Sequence, residues 1–79
     1  MTNKEKYVEA FVESLDVRED QVPGLEYQSV PSWDSVGHMG LVAAIEDAFD
    51  IQFETDDIVE FNSYGKGIEL LKKYGVEIN

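Results

Sequence analysis

A serine at the start of a predicted helix is the residue of this chain best suited to covalent chemistry. Ser35 follows Asp34, and aspartate commonly caps a helix by accepting a hydrogen bond from an unpaired N–H group one turn in. A hydroxyl at the first helical position is exposed, and the free N–H groups and positive dipole end there favour an added phosphate. The pair therefore indicates either an ordinary helix start or a hydroxyl that accepts a phosphate ester.

The single histidine permits a different interpretation, an esterase. His38 comes three residues after Ser35, so the two side chains share nearly one helix face and could pair as nucleophile and base. The segment lacks the Gly-x-Ser-x-Gly turn that exposes such a nucleophile, shows no oxyanion hole, and belongs to a chain too small to enclose a dry cavity. We therefore expect no enzymatic activity and a partly exposed surface His38, or one that contacts a partner or a bound group.

The charge distribution indicates the class of partner. The chain has 17 acidic and 6 basic residues, for a net charge of −11. Eleven acidic residues lie from Glu19 to Glu60, and no lysine or arginine occurs between Arg18 and Lys66. Such a field repels nucleic acid and anionic membranes and attracts basic protein surfaces. The alternative is that these acids only keep a small protein in solution.

The elements that must position Ser35 are helical. An apolar period of three to four residues predicts a first helix over residues 4–15, with Asn3 as its cap. Residues 16–33 carry Pro23-Gly24 and Pro31 and no lasting period, which predicts a long loop. Apolar residues spread along this loop should pin it to the core in an ordered state, with Trp33 as an anchor.

Three further helices are predicted after the loop. The second begins with Asp34 as its cap and runs to about residue 49, with an apolar stripe that includes Val36 and Met39. A short helix covers about residues 55–61 with Thr55 as its cap, and two acids suit its first turn. The last helix is capped by Asn62 or Ser63 and ends at Gly75, a residue favoured just past a helix.

The central segment is similar to the phosphopantetheine attachment region of acyl and peptidyl carrier proteins. That family has an Asp-Ser-Leu motif or a near variant at the start of a helix that ends in acidic and aromatic residues. This chain has Asp34-Ser35-Val36, followed by Glu46, Asp47 and Phe49. The likeness covers nearly the whole chain and implies a small all-α four-helix bundle of the acyl-carrier type, with three longer helices, one short helix and a long loop between the first two.

The resemblance implies a function. A phosphopantetheinyl transferase would attach 4′-phosphopantetheine from coenzyme A to Ser35, and the arm would carry an acyl or aminoacyl group as a thioester. Asp34 would cap the helix and belong to the transferase recognition surface. The protein would present its cargo to successive enzymes of fatty-acid, polyketide or related biosynthesis and catalyse nothing itself. The length of the chain suggests a stand-alone, monomeric carrier.

The second helix is the main recognition element in this family, which implies a docking surface for acyl-loading and acyl-transferring enzymes with basic surfaces. Its residues here would be the following: Val36, Ala43, Glu46, Asp47, Asp50, Asp56 and Asp57. The chain departs from the family at Gly37 and Gly40, where many carriers have acids. This departure predicts weaker docking along the first half of the helix and a dedicated set of partners. The alternative function is an acidic protein-interaction module without a prosthetic group.

Other classes of site find little support in the sequence. The chain has no cysteine, which removes disulfides and thiolate metal sites. The acidic stretch from Asp50 does not match the ligand register of a calcium-binding loop, so no metal site is predicted. No apolar run reaches the ~18 residues of a membrane span, and the first residues do not resemble a signal peptide. We therefore predict one domain over residues 1–79 and a cytoplasmic location.

Overall fold

The computed structural model describes residues 1–78 and shows a small all-α fold. Its elements are helix α1 (Asn3–Leu15), a 3₁₀ helix (Glu19–Gly24), and helices α2 (Ser35–Phe49), α3 (Thr55–Glu60) and α4 (Tyr64–Lys73). Within residues 1–78, strand-like pairing is limited to one antiparallel bridge between Glu26 and Ser63. The helical positions predicted from the apolar period are therefore confirmed to within one or two residues.

Helix α1 begins one residue earlier than predicted, because Thr2 and not Asn3 is its cap. The Thr2 hydroxyl accepts from the Glu5 N–H at 3.1 Å, and the Glu5 carboxylate accepts from the Thr2 N–H at 2.9 Å. This reciprocal pair is a capping box and satisfies two N–H groups at the helix start. Asn3 instead donates its side-chain amide to the Glu77 carbonyl at 3.1 Å.

The core is rich in aromatic side chains. Its buried apolar members include Tyr7, Phe11, Trp33, Phe61 and Tyr64. The Phe11 ring lies with its centroid 5.0–6.2 Å from those of the other four, distances at which aromatic pairs attract. The Tyr7 hydroxyl donates to the Tyr64 carbonyl at 2.6 Å, and burial raises the pKa of that phenol. The core thus connects α1, the loop and α4.

The long loop is ordered, as predicted, although it contains a 3₁₀ helix that the absence of a lasting period did not reveal. Val22, Leu25 and Trp33 are buried in the core. The loop backbone also bonds to the α3–α4 junction, because Tyr27 N–H donates to the Asn62 carbonyl at 2.8 Å and Tyr64 N–H donates to the Leu25 carbonyl at 3.0 Å. These bonds hold the loop against the α3–α4 junction.

Helices α3 and α4 differ in how they begin. The cap of α3 is Glu54, not Thr55 as predicted, since the Glu54 carbonyl accepts the first helical bond from Ile58 N–H at 3.1 Å. The cap of α4 is Ser63, one of the two residues predicted, and its hydroxyl accepts from Lys66 N–H at 3.0 Å. Gly75 has a φ of 80° just past α4, which confirms the predicted stop.

Within residues 1–78, no helix has the length and apolar character needed to cross a bilayer.

Candidate functional site

Ser35 is the first residue of α2, and its side chain is exposed. Asp34 caps the helix as predicted, with Oδ1 accepting from Gly37 N–H at 2.9 Å. The His38 N–H donates to the Asp34 carbonyl at 2.8 Å. The Ser35 hydroxyl therefore lies at a well-formed helix N-terminus. It is exposed to solvent, and the positive end of the helix dipole favours a phosphate ester there.

Two close contacts fix this helix start against the loop. Trp33 is fully buried two residues before Ser35, which confirms its prediction as an anchor. A Cβ added at Gly37 would lie 1.9 Å from the Ser32 carbonyl oxygen and 3.3 Å from Leu15 Cδ2. Only glycine permits this approach, so packing accounts for the absence of an acid at Gly37. Around Gly40 the space is open.

A groove of about 390 Å³ opens beside Ser35, and most of its exposed lining is apolar. Its floor and walls come from three segments of the chain and comprise Tyr27, Ser35, His38, Met39, Ile58, Val59, Phe61 and Asn62. The Tyr27 hydroxyl lies 3.4 Å from Ser35 Oγ at one side of this groove. The site therefore combines one exposed hydroxyl with an adjacent apolar surface, and sequence analysis missed Tyr27 as a neighbour because it lies eight residues away in a loop.

His38 is tied into the structure by both ring nitrogens. Trp33 Nε1 donates to His38 Nδ1 at 3.0 Å, and His38 Nε2 lies 2.8 Å from the Ile58 carbonyl. An indole N–H only donates and a carbonyl only accepts, so this geometry assigns the neutral ring with its proton on Nε2. His38 is partly exposed, as the sequence predicted, and it also bridges the loop and α3. Neither nitrogen is free to act as a base toward Ser35.

The exposed apolar side chains of the site lie on α2 and α3. Val36 is 82%, Met39 57% and Val59 75% exposed. The predicted apolar stripe of the second helix included Val36 and Met39. Only its later part is buried, because the buried face of α2 is formed by Leu41, Val42 and Ile45. Val36 thus lies at the surface where a partner could contact it, as the resemblance implied.

The acidic residues predicted for docking differ in their exposure. Asp47, Asp50 and Asp56 are exposed, as is Ala43. Glu46 is half-buried, and its carboxylate accepts from Phe53 N–H at 2.8 Å. This bond connects the end of α2 to the segment that follows it. It occupies one carboxylate oxygen of Glu46, so less of this carboxylate is available to bind a partner.

Asp57 is a correction to the predicted docking set. Its side chain is only 2% exposed, and its carboxylate accepts from Lys73 Nζ at 2.7 Å and from the Tyr74 hydroxyl. The hydrogen bond from Lys73, followed by that from Tyr74, holds the pKa of Asp57 below its usual value. The same carboxylate raises the pKa of the Lys73 ammonium. Asp57 therefore joins α3 to α4 and is not available to a partner.

Among residues 1–78, no three His, Cys, Asp or Glu side chains converge in a way that could hold a metal ion. No family model matches the chain, and no curated protein and no solved structure shows significant similarity to it.

Proposed function

We propose that this protein is an acyl carrier protein that bears a 4′-phosphopantetheine arm on Ser35. The observation that carries the proposal is the exposed Ser35 hydroxyl at the Asp34-capped start of α2, beside an apolar groove. The fold agrees with it, since three longer helices, one short helix and a long ordered loop follow one another in the order that the resemblance implies. The finer assignment, a four-helix bundle of the acyl-carrier type, is part of this proposal.

The residues around Ser35 fit such an arm. The hydroxyl is accessible to a second protein. Ala43 and Asp47 lie exposed farther along the same helix, and the exposed Asp50 caps its end. The groove offers apolar surface to the arm and to a short acyl group, and its neighbour Phe61 belongs to the aromatic core beneath. When attached, the arm supplies a terminal thiol that holds the cargo as a thioester.

The attachment reaction is a phosphoryl transfer in which this chain is the acceptor. Ser35 Oγ forms a bond to the phosphorus that carries pantetheine in coenzyme A, and the phosphoanhydride bond to that phosphorus breaks. Adenosine 3′,5′-bisphosphate leaves, and the hydroxyl proton passes to a base of the transferase. Because both nitrogens of His38 are engaged, the single histidine of the chain offers no such base.

The surface around the groove suits basic enzymes with an apolar contact patch. Val36, Met39 and Val59 are exposed apolar side chains. Exposed carboxylates lie on the same two helices at Asp47 and Asp56, and at Asp50, which caps the end of α2. We therefore propose docking through apolar contacts near Ser35 and steering by the acids, without Asp57.

The test is attachment of the arm in a defined reaction. The purified chain is incubated with coenzyme A and a promiscuous phosphopantetheinyl transferase, and its intact mass is measured. We expect one added phosphopantetheine on the native chain, none on Ser35→Ala, and one on the matched control Ser32→Ala, which removes an exposed hydroxyl three residues away. Absence of modification with several transferases would overturn the proposal.

The competing function is an acidic interaction module without a prosthetic group. The exposed Val36, Met39 and Val59 among carboxylates would also suit this role. It gives Ser35 no chemistry, so binding to a basic partner would be unchanged by Ser35→Ala. In that case protein isolated from its native cells would carry no arm.

A further inference from the structure

A phenol from another segment of the chain lies beside the Ser35 hydroxyl. The Tyr27 hydroxyl lies 3.4 Å from Ser35 Oγ, which is long for a bond between two hydroxyls, whose usual distance is about 2.7–2.8 Å. Bare Ser35 is therefore only weakly held by Tyr27. The gap leaves the phenol within reach of atoms bonded to Ser35 Oγ.

Tyr27 is held in place by contacts that do not involve its hydroxyl. Its ring packs edge-to-face against Trp33, with centroids 6.2 Å apart, and against His38 at 5.7 Å. Its backbone N–H donates to the Asn62 carbonyl. The hydroxyl thus reaches Ser35 from a ring that is already fixed by aromatic packing and a backbone bond. Donating a hydrogen bond to a bound group would therefore cost little additional side-chain entropy.

Charge makes an uncharged donor useful here. A phosphodiester is an anion, Asp34 lies next to Ser35, and the chain has no lysine or arginine from residue 19 to residue 65. The two nitrogens of His38 are bound to Trp33 and Ile58. The O–H group of Tyr27 is the side-chain donor that the structure places against Ser35.

We propose that the Tyr27 hydroxyl donates a hydrogen bond to a non-bridging oxygen of the phosphodiester on Ser35 and so positions the pantetheine arm along the apolar groove. This inference rests on the proposed carrier function. Tyr27 acts here as a positioning residue, because it sets where the arm begins and takes no part in forming its bond. Loss of the hydroxyl leaves the arm attached and less ordered.

The experiment compares the loaded protein with loaded Tyr27→Phe by ³¹P NMR. Intact mass first establishes that each chain carries one arm. We expect the phosphodiester resonance of Tyr27→Phe to move by more than its line width and to narrow, since the phosphate loses a donor and gains mobility. The same resonance position and width in both loaded proteins would overturn the inference while leaving the carrier function intact.

A control and a second measurement separate positioning from stability. Tyr74→Phe removes a hydroxyl that is bound to Asp57, so we expect a lower melting temperature and an unchanged ³¹P resonance. In the native protein the Tyr27 Cζ resonance should shift when the arm is attached, which needs no variant. An unshifted Tyr27 Cζ in the loaded protein contradicts the inference, and a chain that accepts no arm overturns both it and the proposed function.

Discussion

The indole of Trp33 donates its N–H group to Nδ1 of His38 across a distance of 3.0 Å, and the two rings stack at an angle of 21°. His38 Nε2 completes the bridge at the Ile58 carbonyl. One side chain of α2 thus satisfies a donor from the loop and an acceptor from α3.

This bridge predicts a graded response to substitution of His38. His38→Ala leaves the N–H group of the fully buried Trp33 without its partner, and an unsatisfied buried group costs about 1–3 kcal/mol. The partly exposed Ile58 carbonyl also loses its partner. His38→Gln retains one acceptor and one donor, so its loss in the free energy of unfolding should be smaller. Denaturant unfolding measures both values. Equal stability of the native chain and His38→Ala would contradict the bridge.

The same bridge fixes the tautomer of the neutral ring. ¹⁵N NMR should show that the neutral ring carries its proton on Nε2 and not on Nδ1. The opposite tautomer would place two N–H groups against each other at Trp33, and its observation would disprove the assignment.

Two glycines of α2 should respond in opposite directions to alanine. Gly37→Ala forces the new methyl against the Ser32 carbonyl oxygen, 1.9 Å away, and overpacking of this kind costs about 1–3 kcal/mol or more. Gly40→Ala meets open space, so the better helix propensity of alanine should raise the free energy of unfolding by ~1 kcal/mol. Chemical denaturation of the two variants checks this. A stabilised Gly37→Ala protein would show that the loop does not lie against α2.

Asp57 predicts a specific dependence of stability on pH. Its pKa is lowered in the folded state from the ordinary value of 3.8, first by the hydrogen bond from Lys73 and then by that from Tyr74. A carboxylate whose pKa is lower in the folded protein stabilises the fold at pH values above its pKa in the unfolded chain. That stabilisation is lost as the pH falls through the pKa of the folded state. We therefore expect the native chain to lose this stabilisation below about pH 4. Asp57→Asn should have a lower melting temperature at pH 7, and its melting temperature should fall less as the pH is lowered.

The matched control for this prediction is the neighbour Asp56, which is exposed on the same helix. Asp56→Asn should have nearly the same melting temperature as the native chain at pH 7, and nearly the same fall in melting temperature at acidic pH. If Asp56→Asn and Asp57→Asn behave alike, net charge and not the contact with Lys73 sets the effect.

The net charge of −11 predicts that salt stabilises the fold. Added salt shortens the range of repulsion between exposed carboxylates to about 10 Å at 0.1 M and less above it. We expect the melting temperature to rise with sodium chloride and with millimolar magnesium, measured by calorimetry. A melting temperature independent of ionic strength would mean that the acids are too dispersed to repel one another.

Local signals in the sequence were sufficient to predict where α2 begins. Asp34 as cap and Ser35 as first helical residue depend on a hydrogen bond between residues three apart, and such bonds follow from residue type. The buried Trp33 was likewise predictable, since a large aromatic residue in an otherwise irregular loop seldom remains in water. The helices lie close to their predicted positions because the apolar period that predicts them is also a local signal.

Contacts between distant residues explain what the sequence did not reveal. The acids at Asp56 and Asp57 look alike in the first turn of a short helix, and only the approach of Lys73 and Tyr74 from α4 makes one of them buried. Tyr27 is one of the apolar residues spread along the loop, several of which were expected to pack on the core, but its place beside Ser35 depends on a bond to Asn62, 35 positions later. Thr55 failed as a cap because helix α3 begins one residue earlier than its composition suggests.

Trp33 is the single tryptophan of the chain, and it is shielded from water two residues before Ser35. Its intrinsic fluorescence therefore arises from one place in the molecule. Emission at short wavelength reports an intact loop, and a red shift reports that water has reached the indole. The protein thus contains an unlabelled optical probe beside the hydroxyl on which its proposed function depends.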